Sequence, residues 1–252
     1  RPYLAYLSYK ANCGQDDDKA IKLLMFIEIF HAFCLVHDDI MDKSEYRHNE
    51  KTIHQFISDL NKSNKFVDSI HFGNSQAILI GDYLLSWAFE ILINNQDFEK
   101  KTIERVTKIF FEMIDEVFLG QMIDLNITKE EKVTDEIIYQ KILLKTAGYS
   151  FIKPMLIGAS LSGEVKEKTF FEEFGKHLGT AFQIQDDLLD IKYDTSQTNK
   201  SSFTDILEHN HTLFTNYIFK HGTAEQKEIL NKHFGKTVAS DQANLLRKVF
   251  TD

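Results

Sequence analysis

Two acidic clusters of the chain share one pattern, DDxxD, whose carboxylates could bind a cation. Residues 38–42 read DDIMD, and residues 186–190 read DDLLD. On a helix, positions four apart project from nearly the same face and lie about 6 Å apart along the axis. Carboxylates at that spacing repel one another unless a cation lies between them. Mg²⁺ prefers such oxygen ligands and commonly takes substrate phosphates as well, so the pattern predicts two Mg²⁺-binding clusters that hold a diphosphate.

A single DDxxD sequence is also typical of a solvated helix end that has no chemical role. Two copies, far apart in the chain and each following an apolar stretch, argue against that interpretation. A half-buried group of three carboxylates is costly without compensating charge. Bridging metal ions would supply that charge, and they would also favour ionisation of an allylic C–O bond by stabilising the departing diphosphate.

Long helices must position both clusters. Apolar residues recur at spacings of three and four before the first cluster, which predicts a central, buried helix over residues 19–42. Polar sequences predict loops at residues 43–52 and 194–204, and the C-terminal segment is helical again but less clearly marked. Further helices are predicted at residues 74–94, 98–126, 133–161 (with Pro154 inside or splitting it) and 167–192.

The composition favours one all-α domain over residues 1–252. Two prolines and 11 glycines are too few for a sheet protein rich in turns, and no linker divides the chain. The net charge of −9 disfavours nucleic-acid binding, and it means that an anionic substrate needs a bridging cation. We expect no membrane span, because no run of 18 apolar residues occurs, and no signal peptide. Two cysteines form no disulfide or zinc pattern, which fits a cytoplasmic protein.

Several stretches of the sequence resemble one known family in the same order. They are FHAFCLVHDDIMDKSEYRHNEKTIH, AILIGDYLLSWAFEIL, GQMIDL, KTAGY and FQIQDDLLDI. Over most of its length the chain is similar to the trans-isoprenyl diphosphate synthase (polyprenyl synthetase) family. The resemblance implies an all-α isoprenoid-synthase bundle around a deep central cavity, a homodimer and three Mg²⁺ ions. It also implies a prenyltransferase that condenses isopentenyl diphosphate with an allylic diphosphate (dimethylallyl, geranyl or farnesyl).

The resemblance assigns roles to individual residues. The metal-binding carboxylates are Asp38, Asp42 and Asp186, supported by Asp39, Asp187 and Asp190. The cations that hold the allylic diphosphate are Arg47, Lys145 and Lys200. The groups whose oxygens face the developing carbocation are Thr146 and Gln183, with Tyr149 nearby. The pair that lines the same site is Gln121 and Asp124. The residues that contact isopentenyl diphosphate are Arg1 and His31.

Some of these residues have simpler interpretations. Lys145 could also be a lysine on a helix surface. Without the resemblance, His31 would be interpreted as a hydrogen-bonded core histidine. Gln183 lies in an apolar run, where a buried amide needs hydrogen-bond partners, and it is therefore more informative than a surface glutamine.

The sequence also departs from the family pattern. It begins at Arg1, which matches the last arginine of the family's GGKRxRP motif, so we expect the N-terminal helix and the Gly-Gly-Lys part of that motif to be absent from this chain. The Arg-Arg-Gly sequence of the family is Arg47-His48-Asn49 here, and a family lysine is replaced by Asn210, with His211 beside it. Because a histidine lacks the permanent charge of arginine, we expect weak or pH-dependent binding of isopentenyl diphosphate.

The length of the product is predicted from the helix that carries the first cluster. Phe33 precedes Asp38 by five residues, about 7.5 Å along the axis, with the small residue Cys34 one position nearer. Phe30 lies on nearly the same face, further down. The resemblance to short-chain enzymes implies a product of fifteen or twenty carbons, with twenty favoured. Alternatively, Phe30 and Phe33 pack into the core or a dimer and have no influence on length.

Two other functions share part of this pattern. A class I terpene cyclase would have a helical cavity and one DDxxD, but its second metal motif normally contains Asn, Ser or Thr and Glu. A weakly active regulatory subunit of a heteromeric prenyl synthase would explain His48 and Asn210, but it would not need two intact aspartate clusters. An elongating prenyltransferase is therefore the favoured function.

Overall fold

The computed structural model describes residues 1–192, 203–236 and 242–251, and most of these residues are helical. The all-α class predicted from the sequence is confirmed. Most of the loop predicted at residues 194–204 lies outside the described residues, and so does Lys200. In chain order the α-helices are α1 Pro2–Ala11, α2 Asp17–Met41, α3 Ile53–Asn61, α4 Ser69–Ile93, α5 Lys100–Ile127, α6 Asp135–Lys141, α7 Lys153–Ser162, α8 Lys168–Lys192, α9 Thr204–Leu207, α10 Leu213–His221, α11 Ala224–His233 and α12 Ala243–Thr251.

The chain divides into two compact units. The first contains Arg1–Phe111 and Lys153–Phe171, and the second contains Glu112–Ile152 and Glu172–Asp252. The first aspartate cluster belongs to the first unit, and the second cluster belongs to the second unit. The single domain and the deep cavity remain predictions.

Helix α2 forms the core of the first unit. It begins after Asp16, whose side chain accepts a hydrogen bond of 3.2 Å from the backbone N–H of Lys19 and so caps the helix. Phe26 and Phe30 are fully buried and pack edge-to-face on Phe110 of α5, with ring centroids 4.9 and 5.2 Å apart. Aromatic packing therefore fixes the turns of α2 that carry Phe26 and Phe30. The aspartate cluster lies at the C-terminal end of the same helix.

A short β-hairpin follows the first cluster, within the segment predicted to be a loop. Strands Tyr46–Arg47 and Glu50–Lys51 pair antiparallel around His48 and Asn49. These two residues have φ angles of 51° and 68°, the left-handed conformation that a two-residue type I′ turn requires. The sequence analysis missed the hairpin because its two strands have no apolar alternation. The turn presents His48 to solvent and directs Arg47 back toward the cluster.

The second unit contains an unusually wide helical segment. Residues Ile142–Ile152 form a π-helix between α6 and α7, where the sequence predicts a helix over residues 133–161 with Pro154 inside or splitting it. Glycines allow neighbouring helices to approach it closely: a Cβ at Gly120 would lie 2.4 Å from the backbone nitrogen of Lys145, and a Cβ at Gly179 would lie 2.4 Å from Ala147 Cβ. The π-helix therefore packs closely against α5 and α8, and its side chains are buried or half-buried.

Two helices, α2 and α4, are long and apolar enough to cross a membrane when judged by length and composition alone. The core helix of a soluble protein passes the same test, and α2 is such a core helix in the first unit. The predicted absence of a membrane span is therefore not decided by this finding, and the cytoplasmic location also remains a prediction.

Candidate active site

The first aspartate cluster occupies the last turn of α2, with Asp42 as its C-cap. Arg47 from the hairpin binds two of its carboxylates. Arg47 Nη2 lies 2.7 Å from Asp39 Oδ1 and 3.4 Å from Asp38 Oδ2, and Arg47 Nε donates a hydrogen bond of 2.8 Å to Asp39 Oδ1. A helix C-terminus is itself electronegative, so carboxylates at this end strengthen the attraction for cations. The predicted cluster and its predicted arginine are brought together.

Burial and the arginine act in opposite directions on Asp39, which is 6% exposed. Burial raises the pKa of its carboxyl above the ordinary value, and the hydrogen bond and charge of Arg47 only partly oppose this. For Arg47, burial would lower the pKa, but the charges of Asp39 and Asp38 outweigh it and raise the pKa. Asp39 is thus held by protein groups, and the same guanidinium also contacts Asp38.

Two further predicted residues, Arg1 and His31, lie in the same electrostatic environment. Burial, together with the positive charges of Arg1 and Arg47, lowers the pKa of His31 to about 3. His31 is therefore a neutral imidazole. Burial also raises the pKa of Cys34 to about 12, so its thiol is protonated. A neutral histidine beside two cations can still donate one hydrogen bond to a phosphate oxygen.

Phe30 and Phe33 continue down the same helix and are 0% and 3% exposed. Their ring centroids are 5.6 Å apart, and the Phe33 ring lies 4.7 Å from the His37 ring. His37 in turn contacts the backbone of α4, where its Nε2 lies 3.1 Å from Ile78 O and a Cβ at Gly81 would collide with its ring. The phenylalanines therefore belong to the core, and their predicted influence on product length remains a prediction.

A hydrogen-bonded chain connects the second cluster to the π-helix. Thr146 Oγ1 donates to Gln183 Oε1 at 2.7 Å, and Gln183 Nε2 donates to Asp187 Oδ1 at 2.7 Å. Asp187 is 5% exposed, and burial raises its pKa to about 6, although the hydrogen bond from Gln183 favours the ionised form. The amide of Gln183 thus has the partners that its position in an apolar run requires.

Asp124 and Lys145 form a second polar centre on neighbouring turns of α5 and the π-helix. Lys145 Nζ lies 2.5 Å from Asp124 Oδ2, and Lys141 Nζ lies 3.0 Å from Asp124 Oδ1. Burial would raise the pKa of Asp124, but the two lysine charges outweigh burial and lower it. The predicted residues Gln121 and Tyr149 are half-buried on the same two helices. Lys145 is therefore not an isolated surface lysine.

Asp190 has a structural role in the second cluster. Its carboxylate accepts hydrogen bonds from the Thr204 hydroxyl at 2.6 Å and from the backbone N–H groups of Thr204 and Asp205 at 3.1 and 3.2 Å. These contacts cap the short helix α9. Asp190 is therefore held by the turn at Thr204 and Asp205, and the predicted metal-binding role of the cluster remains a prediction.

The sequence analysis missed Lys141 and Asp205. Lys141 is 7% exposed, and Asp205 is half-buried, where desolvation and the charges of Asp190 and Asp187 raise its pKa well above the ordinary value. The position of Lys141 one helical turn before Lys145 does not by itself indicate a role, because its partners Asn210 and His211 are distant in the chain. No sequence signal placed Asp205 at the second cluster, because its contact with Asp190 depends on the path of the chain between them.

The carboxylates fit Mg²⁺ that is shared with a substrate. Within the described ranges, no group of three or more His, Cys, Asp or Glu side chains is arranged to hold a metal ion alone. Mg²⁺ is commonly bound by one or two carboxylates together with substrate phosphates, and Asp38 with Asp42 offers such a pair on one helical turn. The donor set is therefore suited to metal ions that arrive with a diphosphate.

The fold and the site define a class of all-helical protein with two aspartate-rich helix ends, each close to a basic side chain. The sequence matches the polyprenyl synthetase family over residues 1–251. The chain belongs to that family.

Individual relatives agree with this assignment. A short chain isoprenyl diphosphate synthase of Methanothermobacter thermautotrophicus is 31% identical over 91% of this chain and 65% of its own length. A geranylgeranyl pyrophosphate synthase of Geoglobus acetivorans is 35% identical over 96% of this chain and 68% of its own length. The chain thus spans less than two thirds of the Methanothermobacter protein.

Solved structures show the same fold. A geranylgeranyl pyrophosphate synthase from Corynebacterium glutamicum, in complex with isoprenyl diphosphate and magnesium, has a TM-score of 0.91 at 26% identity. That match covers 99% of this chain and 72% of the Corynebacterium chain. A geranylgeranyl pyrophosphate synthetase from Pyrococcus horikoshii has a TM-score of 0.81 at 30% identity.

Proposed function

We propose that this protein is a Mg²⁺-dependent trans-prenyltransferase, which condenses isopentenyl diphosphate with an allylic diphosphate head-to-tail. The observation that carries the proposal is the pairing of each DDxxD cluster with a polar network. Arg47 binds Asp38 and Asp39 in the first unit, and the Thr146–Gln183–Asp187 chain supports the second cluster. Membership of the polyprenyl synthetase family and the names of its relatives support the same reaction.

The metal ligands in this proposal are Asp38, Asp42 and Asp186, with three Mg²⁺ ions as the family resemblance implies. Bound Mg²⁺ would supply charge stabilisation for the diphosphate that leaves the allylic substrate. The allylic C–O bond breaks, and its electron pair goes to the diphosphate. The double bond of isopentenyl diphosphate then forms the new C–C bond, and a proton is lost to give the product. The Corynebacterium complex contains magnesium and isoprenyl diphosphate, which supports the use of Mg²⁺ with a diphosphate substrate.

Thr146 and Gln183 are suited to a developing positive charge. Because Thr146 donates its hydroxyl hydrogen to Gln183, the lone pairs of its oxygen are directed away from that bond. The carbonyl oxygen of Gln183 likewise has a second lone pair. Arg47 and Lys145 would bind the diphosphate. Arg1 and His31 would bind isopentenyl diphosphate, together with His48 on the exposed turn that follows Arg47.

We further propose a product of fifteen or twenty carbons and a homodimer. Three relatives or solved structures among those above are geranylgeranyl synthases, which supports twenty carbons. Large apolar side chains on α4, among them Tyr83 at 65% exposure and Trp87 at 52%, support a second copy as the partner of that helix.

The experiment that tests the function uses the full-length protein, Mg²⁺ and labelled isopentenyl diphosphate with dimethylallyl, geranyl or farnesyl diphosphate. The products are dephosphorylated and sized. One labelled alcohol is expected, and label should remain in the starting material when the allylic substrate is omitted. A folded protein that incorporates no label would contradict the proposal, and formation of a hydrocarbon from geranylgeranyl diphosphate alone would favour a cyclase.

A further inference from the structure

Lys141 is a buried cation that belongs to no role assigned above. It is the last residue of α6, at the junction with the π-helix, and only 7% of it is exposed. Lysine is almost never fully buried unless its charge is paired. Three oxygen atoms lie close to Lys141 Nζ: Asn210 Oδ1 at 2.7 Å, Asp124 Oδ1 at 3.0 Å and the carbonyl oxygen of His211 at 3.1 Å.

Two of these contacts are hydrogen bonds, and the contact with Asp124 is an ion pair. The ammonium group is thus buried, and its charge faces the Asp124 carboxylate. We therefore do not expect Lys141 to bind a phosphate oxygen directly. Any effect of Lys141 on a diphosphate must act through the groups that it contacts.

The first of those groups is Asp124, which lies between two lysines. Its other oxygen, Oδ2, is 2.5 Å from Lys145 Nζ. With Lys141 present, the charge of the Asp124 carboxylate is shared between two ammonium groups. Without Lys141, the whole carboxylate charge would fall on Lys145, which would then offer less positive charge to a diphosphate and would be held closer to Asp124.

The second group is Asn210, which connects Lys141 to the second aspartate cluster. Its side-chain N–H donates to Asp205 Oδ1 at 2.8 Å, and its backbone N–H donates to Asp205 O at 2.7 Å. The backbone N–H of Asp205 then donates to Asp190 Oδ2 at 3.2 Å. Lys141 thus orients the turn on which Asp190 depends for its hydrogen bonds.

We propose that Lys141 is a positioning residue, which sets the strength of the Lys145–Asp124 ion pair through its own contact with Asp124 and the orientation of Asp190 through Asn210 and Asp205. The inference rests on the proposed function, because it concerns the diphosphate that Lys145 and the second cluster would bind. Every contact in this network lies within the second unit. In this proposal Lys141 acts through the position of its positive charge. A variant that moves the charge to a neighbouring residue separates this effect from the packing of the side chain.

The test moves the charge instead of only removing it. Because Lys141 Nζ and Asn210 Oδ1 are 2.7 Å apart, a lysine side chain at position 210 can bring its ammonium group close to the same point. We would compare Lys141→Met with the double variant Lys141→Met/Asn210→Lys. The matched control is Lys220→Met, which removes a half-exposed lysine and its ion pair with Asp135 at 2.7 Å from the same unit.

The measured quantity is the dissociation constant for inorganic pyrophosphate in the presence of Mg²⁺, determined by calorimetry on the full-length protein. We expect Lys141→Met to weaken binding about tenfold or more, the double variant to recover to within about threefold, and Lys220→Met to change little. If Lys141→Met does not fold, Lys141→Gln, which keeps a donor to Asn210 without the charge, should show the same loss.

Two results would overturn the inference: a folded Lys141→Met protein with unchanged pyrophosphate affinity, or a double variant no better than the single one. A wild-type protein that binds no pyrophosphate would also overturn it. The proposed reaction is judged separately. If the wild type binds pyrophosphate and responds to the substitutions as expected, but incorporates no isopentenyl diphosphate, the positioning role stands and the proposed function fails.

Discussion

The side-chain amide of Gln183 donates a hydrogen bond of 2.7 Å to Asp187, the second aspartate of the DDLLD cluster. This contact favours the ionised carboxylate, but burial has the larger effect and raises the pKa of Asp187 to about 6. The folded protein therefore retains a proton at this position at a pH where an unfolded chain has lost it.

The first prediction concerns the stability of the metal-free protein as pH changes. Stabilisation from protonated Asp187 is present below the ordinary pKa of 3.8 and is lost as pH rises through about 6. Asp187→Asn removes the buried charge and should therefore raise the free energy of unfolding at pH 7.5 by on the order of 2 kcal/mol, with little effect near pH 4. Thermal unfolding of the wild type and of Asp187→Asn, each with a chelator at the two pH values, measures the difference in stability.

The control for that experiment is Asp115→Asn, which changes an exposed aspartate of α5 in the same unit and should alter stability little at either pH. If Asp187→Asn destabilised the protein equally at both pH values, the conclusion that a buried charge opposes folding would be wrong.

The second prediction concerns product length. Phe33 is buried beside Phe30 and His37, five positions before Asp38. Phe33→Ala should open space along α2 and lengthen the product by at least one five-carbon unit, as seen by sizing the dephosphorylated alcohols. Removing a buried phenylalanine also costs about 3–5 kcal/mol of stability, so Phe33→Leu should be measured in parallel.

Phe111→Ala is the matched control for product length, because that ring is 51% exposed. It should leave the product unchanged. An unchanged product from folded Phe33→Ala would show that Phe33 serves only the core of the first unit.

The third prediction concerns the hairpin turn. His48 stands where the resemblance expects an arginine, and a histidine loses its positive charge as pH rises through the physiological range. The KM for isopentenyl diphosphate should therefore rise with pH in the wild type. His48→Arg should lower that KM about fivefold near pH 8 and remove the dependence, because a guanidinium is charged throughout and binds phosphate in bidentate fashion.

His71→Arg adds the same charge at an exposed position of α4 and should not change the KM. A wild-type KM that stayed constant from about pH 5.5 to pH 8 would rule out a role for the charge of His48.

The sequence predicted the long helices well because their signal is periodic and local. The helix predicted over residues 19–42 is Asp17–Met41, and the one predicted over residues 167–192 is Lys168–Lys192. The region predicted to be helical over residues 133–161, with Pro154 inside or splitting the helix, was the exception. Its π-helix depends on close packing at Gly120 and Gly179, which come from distant parts of the chain. A local pattern contains no information about such neighbours.

The candidate site, like the fold, could be predicted from the sequence only where its signal is local. The carboxylates and Lys145 follow recognisable motifs, so they could be named in advance. Lys141 could not, because its partners Asn210 and His211 are 69 and 70 positions away in the chain. Buried charge networks form between elements that meet only in the folded chain, and this one extends from Lys145 to Asp190 through such contacts.

The central claim, that both aspartate clusters serve one prenyl transfer, is tested most directly by matched substitutions in a Mg²⁺-dependent assay. Asp38→Asn and Asp186→Asn each remove one proposed metal ligand, while Asp18→Asn removes an exposed aspartate from the start of the same helix as Asp38. Incorporation of labelled isopentenyl diphosphate should fall at least about a hundredfold in both cluster variants and stay within about twofold of wild type in the control. A folded variant of either cluster that retained wild-type incorporation would contradict the claim.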